Sequence, residues 1–165
     1  MDRLSWERRL SALARVCLPL GRVIALVGGV ALLAAYAMPW FGVAVGGQGV
    51  LLSGQFLGRF LSGTTDLSRV LPGAAGGPTE VRLLLALVYL FPACGALATL
   101  VAAGTALRAR RARWNAVLAL VGVVPLAALA VGLTRLPPGA SPELGLWVIG
   151  AGGLAVVLGA ALDGL

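Results

Sequence analysis

The sequence predicts an all-α integral membrane fold: a four-helix bundle with an N-terminal amphipathic interfacial helix and an outer loop that holds a short β-hairpin or a short helix. Three observations predict it. Four long apolar segments contain no charged residue. Hydrophobic residues make up 59% of the chain and charged residues 12%, against roughly 45–50% and about 25% in soluble domains. The arginines are divided unevenly between the segments. A soluble fold of 165 residues cannot bury so much apolar surface, whereas a bilayer accepts it on helices that satisfy their own backbone.

The first element is residues 1–20, a cytoplasmic amphipathic segment. In "MDRLSWERRLSALARVC", Trp6, Leu10, Leu13 and Cys17 fall on one helical stripe, with Arg8 and Arg15 on the far side. This pattern suits a helix lying in the headgroup region. Pro19 and Gly21 end it.

Residues 21–165 form the four-span domain. The spans are expected at 23–40 ("VIALVGGVALLAAYAMPW"), 83–107, 116–134 and 144–162. Each is close to the twenty or so residues that cross about 30 Å of hydrocarbon. "AYA" at Ala35–Ala37 has the small-x-small shape of a signal-peptidase site. The long N-terminal flank argues for a retained span instead.

Orientation follows from the thirteen basic residues, all arginine. Arg3, Arg8, Arg9, Arg15 and Arg22 precede the first span, and Arg108, Arg110, Arg111 and Arg113 lie between the second and third. Arg59, Arg69, Arg82 and Arg135 lie on the other side. The rule that positive loops stay inside then places both termini and the loop 108–114 in the cytoplasm. "RARRARW" is therefore read as a topology anchor that attracts anionic lipid, with Trp114 at headgroup level. So short a loop offers no folded surface for reading nucleic acid, and no nucleic-acid partner is expected.

The outer loop, 41–80, is the one substantial region outside the membrane. "WFGVAVGGQGVLLSG" has two β-prone runs around Gly46, Gly47, Gln48 and Gly49, which suits a hairpin. In "VLLSGQFLGRFL", Leu52, Phe56, Leu57, Phe60 and Leu61 keep helical spacing, which suits a short helix on the outer leaflet. "LPGAAGGPTE" is a turn-rich lead into the second span, with Thr79 and Glu80 near the helix start. So apolar a loop must cover helix ends, lie on lipid or meet a partner. Trp40, Phe41, Gln55, Phe56, Arg59 and Phe60 are the expected partner surface.

Within the spans, small residues mark expected helix contacts. These are Gly95, Thr99 and Ala103 on the second span and Ala151, Ala155 and Gly159 on the fourth. Pro92 and Pro125 lie mid-span and tend to kink their helices, with Thr99 near enough to serve a freed carbonyl.

The chain has no histidine, which excludes imidazole-based catalysis and histidine-ligated haem or copper. Cys17 and Cys94 fit no metal spacing. Asp66 and Glu80 are separated by the proline-glycine linker and form no acid–base pair. Ion pathways need ionisable groups inside the membrane, and Arg22, Arg82, Arg135 and Asp163 all sit at span ends. No catalytic residue, metal site or cofactor is expected.

The span order, the Pro39-Trp40 pair closing the first span, the hairpin-like outer loop and the basic loop after the second span resemble the claudin-type tetraspan layout. They also resemble small bacterial four-span proteins with Pro-Trp at that site. The claudin outer loop carries Gly-Leu-Trp followed by two cysteines. This loop has neither, and "GLW" at Gly145–Trp147 lies in the fourth span, so the resemblance implies a layout and no site residue. The expectation is a non-catalytic accessory or structural subunit of a larger complex in a bacterial inner membrane, whose partners are lipids and other membrane subunits. The alternative is a free-standing small membrane protein that binds lipid or an apolar ligand, or a passive transporter.

Overall fold

The computed structural model describes residues 20–45, 48–63, 78–104, 111–134 and 140–164. These are mostly helical, with one small sheet. In chain order they form α1 (Leu20–Ala35), β1 (Pro39–Val45), β2 (Gln48–Ser53), α2 (Gly54–Ser62), α3 (Pro78–Gly104), α4 (Arg111–Thr134), β3 (Ala140–Pro142) and α5 (Leu144–Gly164). The amphipathic segment 1–20 lies outside the described residues except for its last one.

Three helices are long and apolar enough to cross a membrane, through the stretches Leu85–Gly104, Trp114–Thr134 and Leu144–Asp163. The span expected at 23–40 is corrected. Its helix ends at Ala35, and Pro39-Trp40 open β1. Proline disfavours helical backbone in the residue before it, so Met38 cannot prolong α1. At 1.5 Å per residue, Leu20–Ala35 reaches only about 24 Å. The loop expected at 108–114 is also shorter, because α4 begins at Arg111. The loop expected at 41–80 ends earlier too, because α3 begins at Pro78.

The region expected as an outer loop takes both expected forms in succession. β1 and β2 pair antiparallel, Val45 opposite Gln48, and α2 starts at once after β2. Ser53 makes that switch. It ends the strand and caps the helix, its hydroxyl accepting from the Phe56 N–H at 3.1 Å. β3, from the link between α4 and α5, pairs with the other edge of β1. The sheet order is β2-β1-β3. Since β1 follows α1 and β3 precedes α5, both connections lie at one end of the helices.

Glycine sets how closely the helices approach. A Cβ on Gly28 would lie 2.6 Å from the Gly152 carbonyl oxygen, and one on Gly152 3.0 Å from the Gly28 oxygen. That pair joins α1 to α5. Gly29 and Gly95 join α1 to α3 in the same way, and Gly122 and Gly153 join α4 to α5. Leu32, Leu118, Pro125, Ile149 and Val156 are fully buried between them.

The expected packing rows are therefore shifted. Gly95, Thr99 and Gly159 are in contact with α1, but Ala103 and Ala151 are exposed and Ala155 only half-buried. The packed row on α5 runs through Gly152, Val156 and Gly159. Both prolines sit within their helices. The Thr99 hydroxyl serves the Gly95 carbonyl at 2.8 Å, one turn back on its own helix, and not a carbonyl freed by Pro92.

Candidate functional site

The site is the sheet-bearing end of the bundle, and it is built around the end of α1. A helix leaves its last four carbonyls without partners, and an unpaired carbonyl in an apolar surround is costly. Here the last three, and the Tyr36 carbonyl after them, find donors. Tyr36 N–H reaches the Leu33 oxygen at 3.2 Å, Ala37 N–H the Ala34 oxygen at 3.1 Å and Met38 N–H the Ala35 oxygen at 3.1 Å. The Trp40 indole N–H also donates to the Ala35 oxygen, at 2.7 Å. Gln55 N–H, from the first turn of α2, takes the Tyr36 oxygen at 2.8 Å.

Trp40 is thus corrected as a partner-surface residue. It is 3% exposed and stands edge-on to Phe91 of α3, ring centres 5.2 Å apart. The β1–β2 register shifts between Pro39 and Phe41, and such an irregularity re-aims a side chain. Glycines make room around the indole. A Cβ on Gly54 would lie 2.6 Å from Trp40 Cε2, and one on Gly145 2.6 Å from Cδ1. On the other side Glu143 N–H donates to the Trp40 carbonyl at 2.9 Å. Phe41 is half-buried, as is Phe60.

Gln55, Phe56 and Arg59 are exposed, as expected of a contact surface. Phe56 stacks on Phe60 with ring centres 6.0 Å apart and nearly parallel planes. The buried side of α2 rests on two tyrosines. A Cβ on Gly58 would lie 2.8 Å from the Tyr36 hydroxyl and 3.2 Å from the Tyr89 hydroxyl. The two phenols are hydrogen-bonded to each other, and the charge of Arg59 reaches Tyr36. Among the described residues Arg59 has no carboxylate partner.

At the other end, Arg22 Nε donates to Asp163 Oδ2 at 3.1 Å, tying the start of α1 to the end of α5. The Asp163 side chain is 2% exposed, and its Oδ1 has no partner. Trp114 is exposed at this end. Arg108 and Arg110 lie outside the described residues, as do the side chains of Arg111 and Arg113. Among the described residues no group of acids and cysteines could hold a metal ion.

Sequence reasoning missed Tyr36, Tyr89, Glu143, the Arg22–Asp163 pair and Trp147, which is 64% exposed on the first turn of α5. Only Trp147 carried a signal, an indole at a span end. The others are joined by contacts that no local spacing encodes. No family model, no curated protein and no solved structure matches the chain.

Proposed function

We propose that the chain is a multi-pass protein of a bacterial inner membrane, a non-catalytic accessory or structural subunit acting through helix and loop contacts. In this reading α1, α3, α4 and α5 all span, in the tetraspan layout. Its partners are membrane lipids and other membrane subunits. The observation that carries it is the uneven cover of the bundle. Only 22% of the Trp114–Thr134 stretch is buried within the chain, against 39% of Leu85–Gly104 and 44% of Leu144–Asp163. α4 therefore offers the largest free apolar side, with Leu120, Val123 and Val131 exposed along it. The sealed end of α1 supports the first span. A helix of about 24 Å serves in a bilayer only where its end carbonyls are paired, and here those of Leu33, Ala34, Ala35 and Tyr36 are.

Two experiments test this. Purification in mild detergent from low-level expression should bring stoichiometric membrane partners, and their loss from a Leu120→Asn, Val131→Asn variant would place them on α4. A chain that always purifies alone overturns the subunit reading. For orientation, a cysteine at Gly49, whose Cβ would meet nothing within 4 Å, should label from outside the cell. One at Ala112 should not. Equal labelling overturns the arrangement with both termini in the cytoplasm.

A further inference from the structure

We infer that the junction of α2 and α3 is a binding site for the phosphodiester of one membrane glycerophospholipid, held by the Arg59 guanidinium and the Tyr89 hydroxyl. The inference rests on the membrane reading above and adds a ligand to it.

The cation is the starting point. Arg59 is exposed on α2, and no carboxylate among the described residues neutralises it. Gln55, one turn earlier, is exposed on the same side of that helix. A guanidinium presents a planar fork of donors that matches phosphate oxygens.

The second donor comes from the tyrosine pair. Tyr36 and Tyr89 share one hydrogen bond, which uses one of their two O–H groups. A phenol both accepts and donates, so Tyr89 can accept from Tyr36 and donate outward. Tyr89 is the phenol that faces outward, being 44% exposed. Gly58 is what lets α2 settle here, since a Cβ would lie 2.8 Å from the Tyr36 hydroxyl.

Depth selects the ligand. The membrane-crossing stretch of α3 begins at Leu85, so Tyr89 lies about 6 Å inside it at 1.5 Å per residue. Arg59 follows Gly58, whose Cβ would lie 3.2 Å from the Tyr89 hydroxyl, so its stem starts one residue from that phenol. A donor pair at the boundary of the hydrocarbon meets lipid phosphates before any soluble anion. Phe56, 53% exposed next to Arg59 and stacked on Phe60, supplies an apolar surface for the glycerol and upper acyl chain. A long side chain such as arginine carries its charge to headgroup level while its stem stays on apolar surface.

The test is a titration of the full chain in mild detergent, read by native mass spectrometry and thermal stability. The probes are phosphatidylglycerol, phosphatidylcholine and inorganic phosphate. Both lipids should bind, because the phosphodiester is common to them, and phosphate alone should neither bind nor stabilise. Arg59→Gln should weaken the lipid by about tenfold, as loss of a charge-assisted contact does, and Tyr89→Phe by about threefold, as loss of a neutral hydrogen bond does. Arg82→Gln removes an equal charge two turns further out on α3 and should match the parent. The cytoplasmic arginines are unchanged in every variant and contribute equally. Parental affinity in Arg59→Gln overturns the site. An equal loss in Arg82→Gln shows a diffuse basic field and overturns it too. Stabilisation by phosphate alone would show a free-anion site, and loss of a co-purifying protein without loss of lipid would show a protein surface. Either overturns the lipid assignment. Failure of the subunit reading leaves the titration unaffected.

Discussion

Replacing Gly159 by leucine tests whether α1 and α5 are held by direct backbone contact. The first added carbon would meet the Gly21 carbonyl oxygen, the Ala25 nitrogen at 2.7 Å and the Ala25 Cβ at 2.8 Å. Two of these are backbone atoms on a packed helix, so no rotamer change relieves the overlap and the helices must part. Overpacking in a tight core costs about 1–3 kcal/mol, and a backbone obstacle places this change at the upper end. In a chain of this length, 3 kcal/mol corresponds to about 6–12 °C in Tm. The matched control is Ala151→Leu, which adds the same carbons to an exposed position of the same helix and should stay within about 0.5 kcal/mol of the parent. The assay is thermal unfolding in detergent. Equal Tm values for the two variants would refute the packing argument.

Trp40→Phe keeps the edge contact with Phe91 but removes one of two donors to the Ala35 carbonyl, which Met38 N–H still serves, so it should cost about 0.5–1.5 kcal/mol in the same assay. Arg22→Met strands a buried carboxylate and should cost about 3–5 kcal/mol, while Arg22→Met with Asp163→Leu should recover most of it. A double-mutant cycle on Tm reads this directly, and a double variant no better than the single would show that the pair is not the coupling. Gly58→Ala should loosen α2 without disturbing the sheet. Faster backbone amide exchange confined to 54–62 is the expected sign.

The long apolar helices were legible because each is a local property: a run of apolar residues needs no partner to be recognised. The ends of α5 fall within two residues of the expected span, since Leu144 and Leu162 mark where apolar character starts and stops. α1 was misread for the opposite reason. "YAMPW" is as apolar as the helix before it, so composition shows no boundary at Ala35. The boundary is set by the backbone preference before Pro39 and by a tryptophan that turns back onto the helix. The packing rows failed in a related way. Alanine and glycine recur so often in these spans that several stripes have the right spacing. Only the position of the neighbouring helix tells Gly152 from Ala151. The pairing of β3 with β1 joins residues about a hundred apart, which no pattern in either segment announces.

The mode of closure ties the two ends of the molecule together through α1 and α5. α1 is fastened to α5 at two heights, and the strand after it is tied to the residue before α5 at a third. Arg22 meets Asp163 at one end, Gly28 meets Gly152 midway, and the Trp40 carbonyl meets Glu143 N–H at the other. Between Gly145, which touches Trp40, and Asp163, α5 rises about 27 Å at 1.5 Å per residue, close to the thickness of the hydrocarbon core. A force on the sheet pulls on β1 and β3 together, because they share hydrogen bonds. β1 runs into α1 and β3 into α5, so the load reaches two helices that cannot slide past one another without separating backbone from backbone. The sheet therefore braces the α1–α5 pair at one end, and α4 packs along α5 through Gly122 and Gly153.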